Sequence, residues 1–228
     1  MKNCKEWSIE FDQAWNNISS NQAPGLNIYD KSRVLTKAQE SVVIGICNGT
    51  LRSSFEETEE MTKYLSALVS QASCLLESSQ TIPRISDKSV VYTLPSDLLF
   101  RTLEICVITH PDCGDREVIV VPTTQDEYWR THRDPFKKQN ENRVLRLSHS
   151  KVNQISVIAD YSEIISDYPV KSYTVRYIRR PEPIILADLA NGLSINGKNT
   201  AQTCLLDEAL HQTILAEAVR LAKAEWVA

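Results

Sequence analysis

The sequence predicts an α+β protein, in which a helical bundle of three N-terminal helices and one C-terminal helix accompanies a central antiparallel β-sandwich or barrel-like domain. Three observations predict it. Apolar residues recur at spacings of three and four in the first third of the chain and again near its end. From about Lys88 the runs become β-rich and are separated by Pro, Gly, Asn and Asp. The two patterns are segregated, which favours α+β over alternating βαβ units. The expected organisation is a helical part over 1–85, completed by 204–228, and a β-domain over 86–203 with a long loop at 122–143.

Cys4, Trp7, Phe11, Ala14, Trp15 and Ile18 form one helical stripe. After the turn-rich NQAPGLN, Thr36-Lys-Ala-Gln39 has the form of a capping box, and its helix should end at Asn48-Gly49. Ser54-Phe-Glu-Glu57 is a second such box, placing Met61, Tyr64, Leu65, Leu68 and Val69 on a shared face. The glutamates at 56, 57, 59 and 60 then lie in the first turns, where the helix dipole favours anions, as a solvated helix start. Strands are expected in SVVYTL, LLFRTLEICVIT, EVIVV, RVLRL, QISVI and SYTVRYIRR. Asp207 is the N-cap expected for a last helix carrying Leu210, Ile214, Ala218 and Leu221.

With 228 residues, 42% of them apolar, the chain can bury a core without staples. Six widely spaced cysteines with no Cys-x-x-Cys pair read as free thiols of a reducing cytosol. A net charge of −4 gives no global attraction to nucleic acid or to an anionic membrane. Neither an export signal nor a membrane span is expected.

Chemistry-bearing motifs are scarce. Cys106, His110 and Cys113 are the densest metal-type cluster, but no second pair completes a tetrahedral zinc set, so they read as core and loop residues and no metal is expected. HRDP at 132–135 matches a kinase-loop fragment without the glycine-rich loop or Asp-Phe-Gly that would give it meaning. Nucleophile-elbow, phosphate-loop and zinc-protease patterns do not occur. No catalytic residue, cofactor or enzymatic activity is expected.

Two stretches stand out. YWRTHRDPFKKQNENRVLR carries Arg130, Arg133, Lys137, Lys138, Arg143 and Arg146 among Tyr128, Trp129 and Phe136. It reads as a solvated basic loop, a nucleic-acid grip, or an arm docking on an acidic neighbour. YTVRYIRRPEPIILADLANG begins as a strand, which Pro181 and Pro183 end or confine to an edge. Ile184, Ile185 and Leu186 then need cover, from this chain or from a neighbouring subunit.

YTVRYIRRPEPIIL, LLDEALHQTILAEAVRLA, YTLPSDLLF and EYWRTHRDPFKKQNENRVLRL together resemble the virion structural proteins of crAss-like bacteriophages, above all the ring proteins joining portal to tail. More distantly they resemble the tail adaptors of short-tailed phages. The resemblance implies a non-enzymatic protein of the virion's portal-tail connector, assembled in the bacterial cytoplasm. Its partners would be its own copies in a dodecameric ring, the portal, other connector or tail proteins, and, transiently, viral double-stranded DNA in the channel. The alternative is a DNA-contacting packaging or genome-end plug protein using the basic loop 130–146. A ring needs heterologous contacts. Pro181, Pro183, Ile184, Ile185 and Leu186 are the expected subunit interface. Trp129, Arg130, Arg133, Phe136, Lys137 and Lys138 are the expected docking loop to the portal or a neighbouring ring. On that reading Ile185→Asp should leave the fold intact and block incorporation into particles.

Overall fold

A computed structural model describes residues 2–16, 25–50, 59–77, 84–152, 158–190 and 192–227. These divide into two compact units, residues 1–68 with 180–228, and residues 69–179. Where the sequence drew the limits at 85/86 and 203/204, the structure draws them at 68/69 and 179/180.

The first unit holds α1 (Cys4–Asn16), α2 (Ile28–Cys47), the short α3 (Glu59–Tyr64) and α5 (His211–Val227). Trp7, Phe11 and Trp15 of α1 are buried as the stripe required, whereas Ile18 lies outside the described residues. The N-cap of α2 is Asn27, whose side chain accepts the Asp30 N–H at 2.7 Å, so Thr36-x-x-Gln39 is no cap but mid-helix and buried. The far end is as expected, with Asn48 as C-cap and Gly49 at φ +70°. The second capping box lies outside the described residues. Its expected helix ends early at Tyr64, and Leu68 leads straight into a strand. Asp207 caps the short 3-10 turn Glu208–Leu210 that opens into α5, accepting from the Ala209 N–H at 2.9 Å.

The second unit is an eight-stranded sheet: β1 (Val69–Ser73), β2 (Leu75–Leu76), β3 (Ser89–Thr93), β4 (Leu98–His110), β5 (Gly114–Pro122), β6 (Arg143–Val152), β7 (Ile158–Ile165) and β8 (Val170–Arg179). Their order is β1-β8-β4-β5-β6-β7-β3-β2. The two edges, β1 and β2, are consecutive in sequence and separated only by Cys74. Since neighbouring Cα atoms are about 3.8 Å apart, the sheet's ends must meet, and it is a nearly closed barrel. Cys74 itself bridges the seam, donating its N–H to the Tyr173 carbonyl at 2.8 Å. Inside lie Tyr92, Cys106, Ile108, Ile164, Tyr173 and Val175.

One pair departs from the antiparallel expectation. β5 and β6 are parallel, from Ile119↔Arg143 to Pro122↔Arg146. A parallel pair needs a crossover, and α4 (Gln125–Arg133) supplies it. The segment read as a long loop therefore contains a helix. β1 and β2 had no strand signal among flanking helical residues, and the described part of the seventh strand is ADYSEII and its neighbouring Ile158 rather than the whole of QISVI.

Candidate assembly surfaces

The crossover is built rigidly. The Thr124 side chain accepts the Glu127 N–H at 3.3 Å, and Asp126 and Glu127 stand in the first turn with Arg130, His132 and Arg133 in the last, matching the helix dipole at both ends. Tyr128 is buried against Leu145, Leu147 and Ile165 on the barrel's outer face. Beneath the same helix, His149 Nε2 lies 2.8 Å from an oxygen of the fully buried Glu163, whose other oxygen accepts the Ile85 N–H at 2.9 Å. Gln125 meets the opposite ring nitrogen at 3.3 Å.

Beyond α4 the chain makes a tight turn around Asp134. Its carbonyl accepts from the N–H groups of Lys137 and Lys138, and its carboxylate from the Phe136 N–H at 2.9 Å. The Arg143 guanidinium donates to the Phe136 carbonyl at 2.7 Å. Buried Gln139 links His132 to Asp167. With its backbone thus tied, Phe136 is 87% exposed and Trp129 57%. Arg130, Arg133, Lys137 and Lys138 are exposed around them. Arg143 and Arg146 are not part of this cationic surface: the first braces the turn, and the second points into the barrel, 3.0 Å from Glu104. Burial pulls the Arg146 guanidinium below its ordinary value, with Glu104 opposing.

The proline-broken segment has the opposite fate, and here the structure corrects the sequence. Pro181, Pro183, Ile184, Ile185 and Leu186 are all buried within the first unit, Ile184 and Ile185 completely. Their backbone is held by side chains of α2. Ser32 accepts the Leu186 N–H at 3.1 Å, Thr36 accepts the Ile184 N–H at 3.1 Å, and Gln39 donates to the Glu182 carbonyl at 3.2 Å. The match is metric. Three to four helical residues rise about 4.5–6 Å and two extended residues about 6.6 Å, near enough for polar residues at 32, 36 and 39 to meet 186, 184 and 182 in turn. On the other side, Ile185 exchanges both backbone hydrogen bonds with Gln202 at 2.9 Å. α2 thus acts as the missing neighbouring strand, and the apolar side chains are core of this chain rather than a free contact surface.

The expected metal-type residues are not brought together. Cys106 and His110 stand four residues apart on one strand, which separates them by about 13 Å. Cys106 is buried in the barrel, where desolvation pushes its thiol up to about 12, while Cys113 is exposed. Among the described residues no cluster of three or more His, Cys, Asp or Glu could hold a metal, and no helix is long and apolar enough to cross a membrane.

One feature had no sequence signal. Bulges between Leu98 and Phe100 and between Arg101 and Leu103 bend β4, so its pairing with β5 stops at Ile105↔Ile119. β5 turns there to follow β6. The strands diverge around a groove of about 490 Å³ lined by Arg101–Ile105 and Glu117–Val120. Leu103 is 49% and Ile119 68% exposed at its sides. Bulges depend on tertiary register, not local composition. By contrast α4 could have been found, since Thr124-x-x-Glu127 has capping-box form.

With this geometry in view, the relatives are informative. Residues 1–226 match the family described as phage tail ring protein 3/4. Ring protein 3 of Bacteroides phage crAss001 is 37% identical over 230 residues, covering 96% of this chain and 94% of that protein. Ring protein 4/5 of the same phage is 35% identical over 232 residues, covering 98% and 93%. Matches of that extent span both units, so the chain belongs to the phage tail ring protein 3/4 family.

Proposed function

We propose that this protein is a virion subunit that assembles with its own copies, as a dodecamer, into a ring of the portal-to-tail connector, leaving a channel for the genome and a seat for tail proteins. The near full-length likeness to two ring proteins carries the reading. Family membership supports the ring. In this reading the ring assembles in the host cytoplasm with the portal as its neighbour. Within it, the α4 arm, with Trp129, Arg130, Arg133, Phe136, Lys137 and Lys138, is the docking element toward the portal or a neighbouring ring. An exposed aromatic pair, Trp129 on a helix and Phe136 in the tied turn that follows it, ringed by cations, suits an interface anchor, because little ordering entropy remains to be lost on docking.

The DNA-binding alternative over 130–146 is weakened by one observation: Arg143 and Arg146 are engaged internally. Contact with duplex DNA in the channel is then transient, consistent with a chain of net charge −4. Native mass spectrometry of the purified chain, with and without portal, tests the assignment. Rings, alone or on the portal, are the expected result. A chain that stays monomeric with portal present, yet binds duplex DNA with a steep salt dependence, would overturn it.

A further inference from the structure

We propose that the groove between β4 and β5 is the receptor for the Phe136 turn of a second copy of this chain, so that adjacent subunits join knob into groove. The inference rests on the ring reading above and narrows the arm's target from any connector neighbour to an identical subunit.

Both halves of the contact belong to the same unit of the fold, the barrel with its crossover helix, so their relative placement is fixed within one compact body. The knob is an exposed phenylalanine whose turn is held by Asp134 and Arg143. The groove is of the size that accepts an aromatic ring with the stems of flanking lysines. Leu103 and Ile119 offer it apolar walls that this chain leaves uncovered. Strand edges that diverge beside exposed aliphatic side chains invite pairing with another chain, and an aromatic plug on a rigid turn would occupy them.

Charge agrees with this assignment. At the groove floor Glu104 is answered by Arg146 at 3.0 Å and Arg101 at 3.8 Å, so seating an aromatic ring there strands no unpaired charge. At the rim Glu117 is exposed and has no ion-pair partner among the described residues. Around the knob, Arg130, Arg133 and Lys138 are exposed and likewise without an ion-pair partner, whereas Lys137 lies 3.9 Å from Asp134. Free cations therefore surround the plug and a free carboxylate borders the socket. The two patches differ in identity, as contacts that close a ring must. α4 carries the same polarity along its axis, acidic in its first turn and basic in its last.

Cross-linking tests the contact. In a chain whose exposed Cys113 is replaced by serine, Phe136→Cys and Ile119→Cys are made singly and together, and assembled rings or isolated particles are treated with a short bismaleimide. We expect a covalent dimer when the two single variants are mixed, none from either alone, and a ladder of higher species from the double variant. Phe136→Asp should also raise the concentration needed for assembly at least tenfold with unchanged thermal unfolding. Rings that form without cross-links, a cross-link from Phe136→Cys to portal instead, or normal assembly of Phe136→Asp would each overturn the contact while leaving the ring reading intact. Particles that lack the protein altogether would remove the ring reading itself.

Discussion

Two stretches of this chain pair apolar residues with unusual backbone, and they end in opposite places. Pro181 and residues 183–186 are drawn inside, while Trp129 stays outside on α4 and Phe136 on a turn just as firmly built. The difference lies in where the backbone groups go. The N–H groups of Ile184 and Leu186 find acceptors on Thr36 and Ser32 of a helix already in the core, and their side chains follow. The N–H of Phe136 finds its acceptor on Asp134, two residues away. A segment satisfied by distant residues is pulled inward, whereas one satisfied locally can remain on the surface at no cost in unpaired polar groups.

That contrast can be broken in several ways. Ile185→Asp should have the largest effect, because a carboxylate at a fully buried site costs on the order of 4 kcal/mol or more and consumes most of a typical fold's stability. Soluble yield and urea unfolding read it. A folded, soluble variant defective only in assembly would return the segment to the surface. Next comes a pair on one helix. Tyr128→Ala should cost about 3 kcal/mol in urea unfolding by emptying the contact with Leu145, Leu147 and Ile165, while Trp129→Ala stays within about 0.5 kcal/mol. Equal costs would mean that α4 does not present distinct inner and outer faces. Thr36→Val keeps the shape of the side chain but leaves the Ile184 N–H without its acceptor, for about 1–3 kcal/mol.

A further effect concerns pH. Burial raises the thiols of Cys47, Cys74 and Cys204 to about 11 and that of Cys106 to about 12, against an ordinary value of 9.0. A group raised in the folded state stabilises fully below its unfolded value and loses that contribution as pH climbs through its folded one. Stability should therefore be flat to about pH 9 and fall between 9 and 12. Chemical denaturation across that range reads the slope, and stability that is unchanged up to pH 12 would contradict the burial of these thiols.

The helices that carry an apolar stripe were legible in the sequence, because Trp7, Phe11 and Trp15 or Ile214 and Ala218 announce their period whatever they pack against. So were most of the strands and the α+β class. Three things were not. Barrel closure depends on Cys74 joining two edges, which no local pattern encodes. Thr36 and Gln39 have the spacing of a cap and serve instead as hydrogen-bond partners for residues nearly 150 positions away. The groove beside Leu103 and Ile119 arises from bulges set by register with β8. The arm's exposed residues were legible as a group, since aromatic and basic residues interleave over a short span, but the internal engagement of Arg143 and Arg146 was visible only once the strand carrying them had a direction.

Hydrogen exchange on the isolated, unassembled chain addresses the central claim most directly. If residues 181–186 are this subunit's own core, the amides of Ile184, Ile185 and Leu186 should be protected to the same degree as the middle of α2 without any partner present. Fast exchange of these three amides in the free chain, slowing only after ring assembly, would contradict the account and make the segment a subunit interface after all.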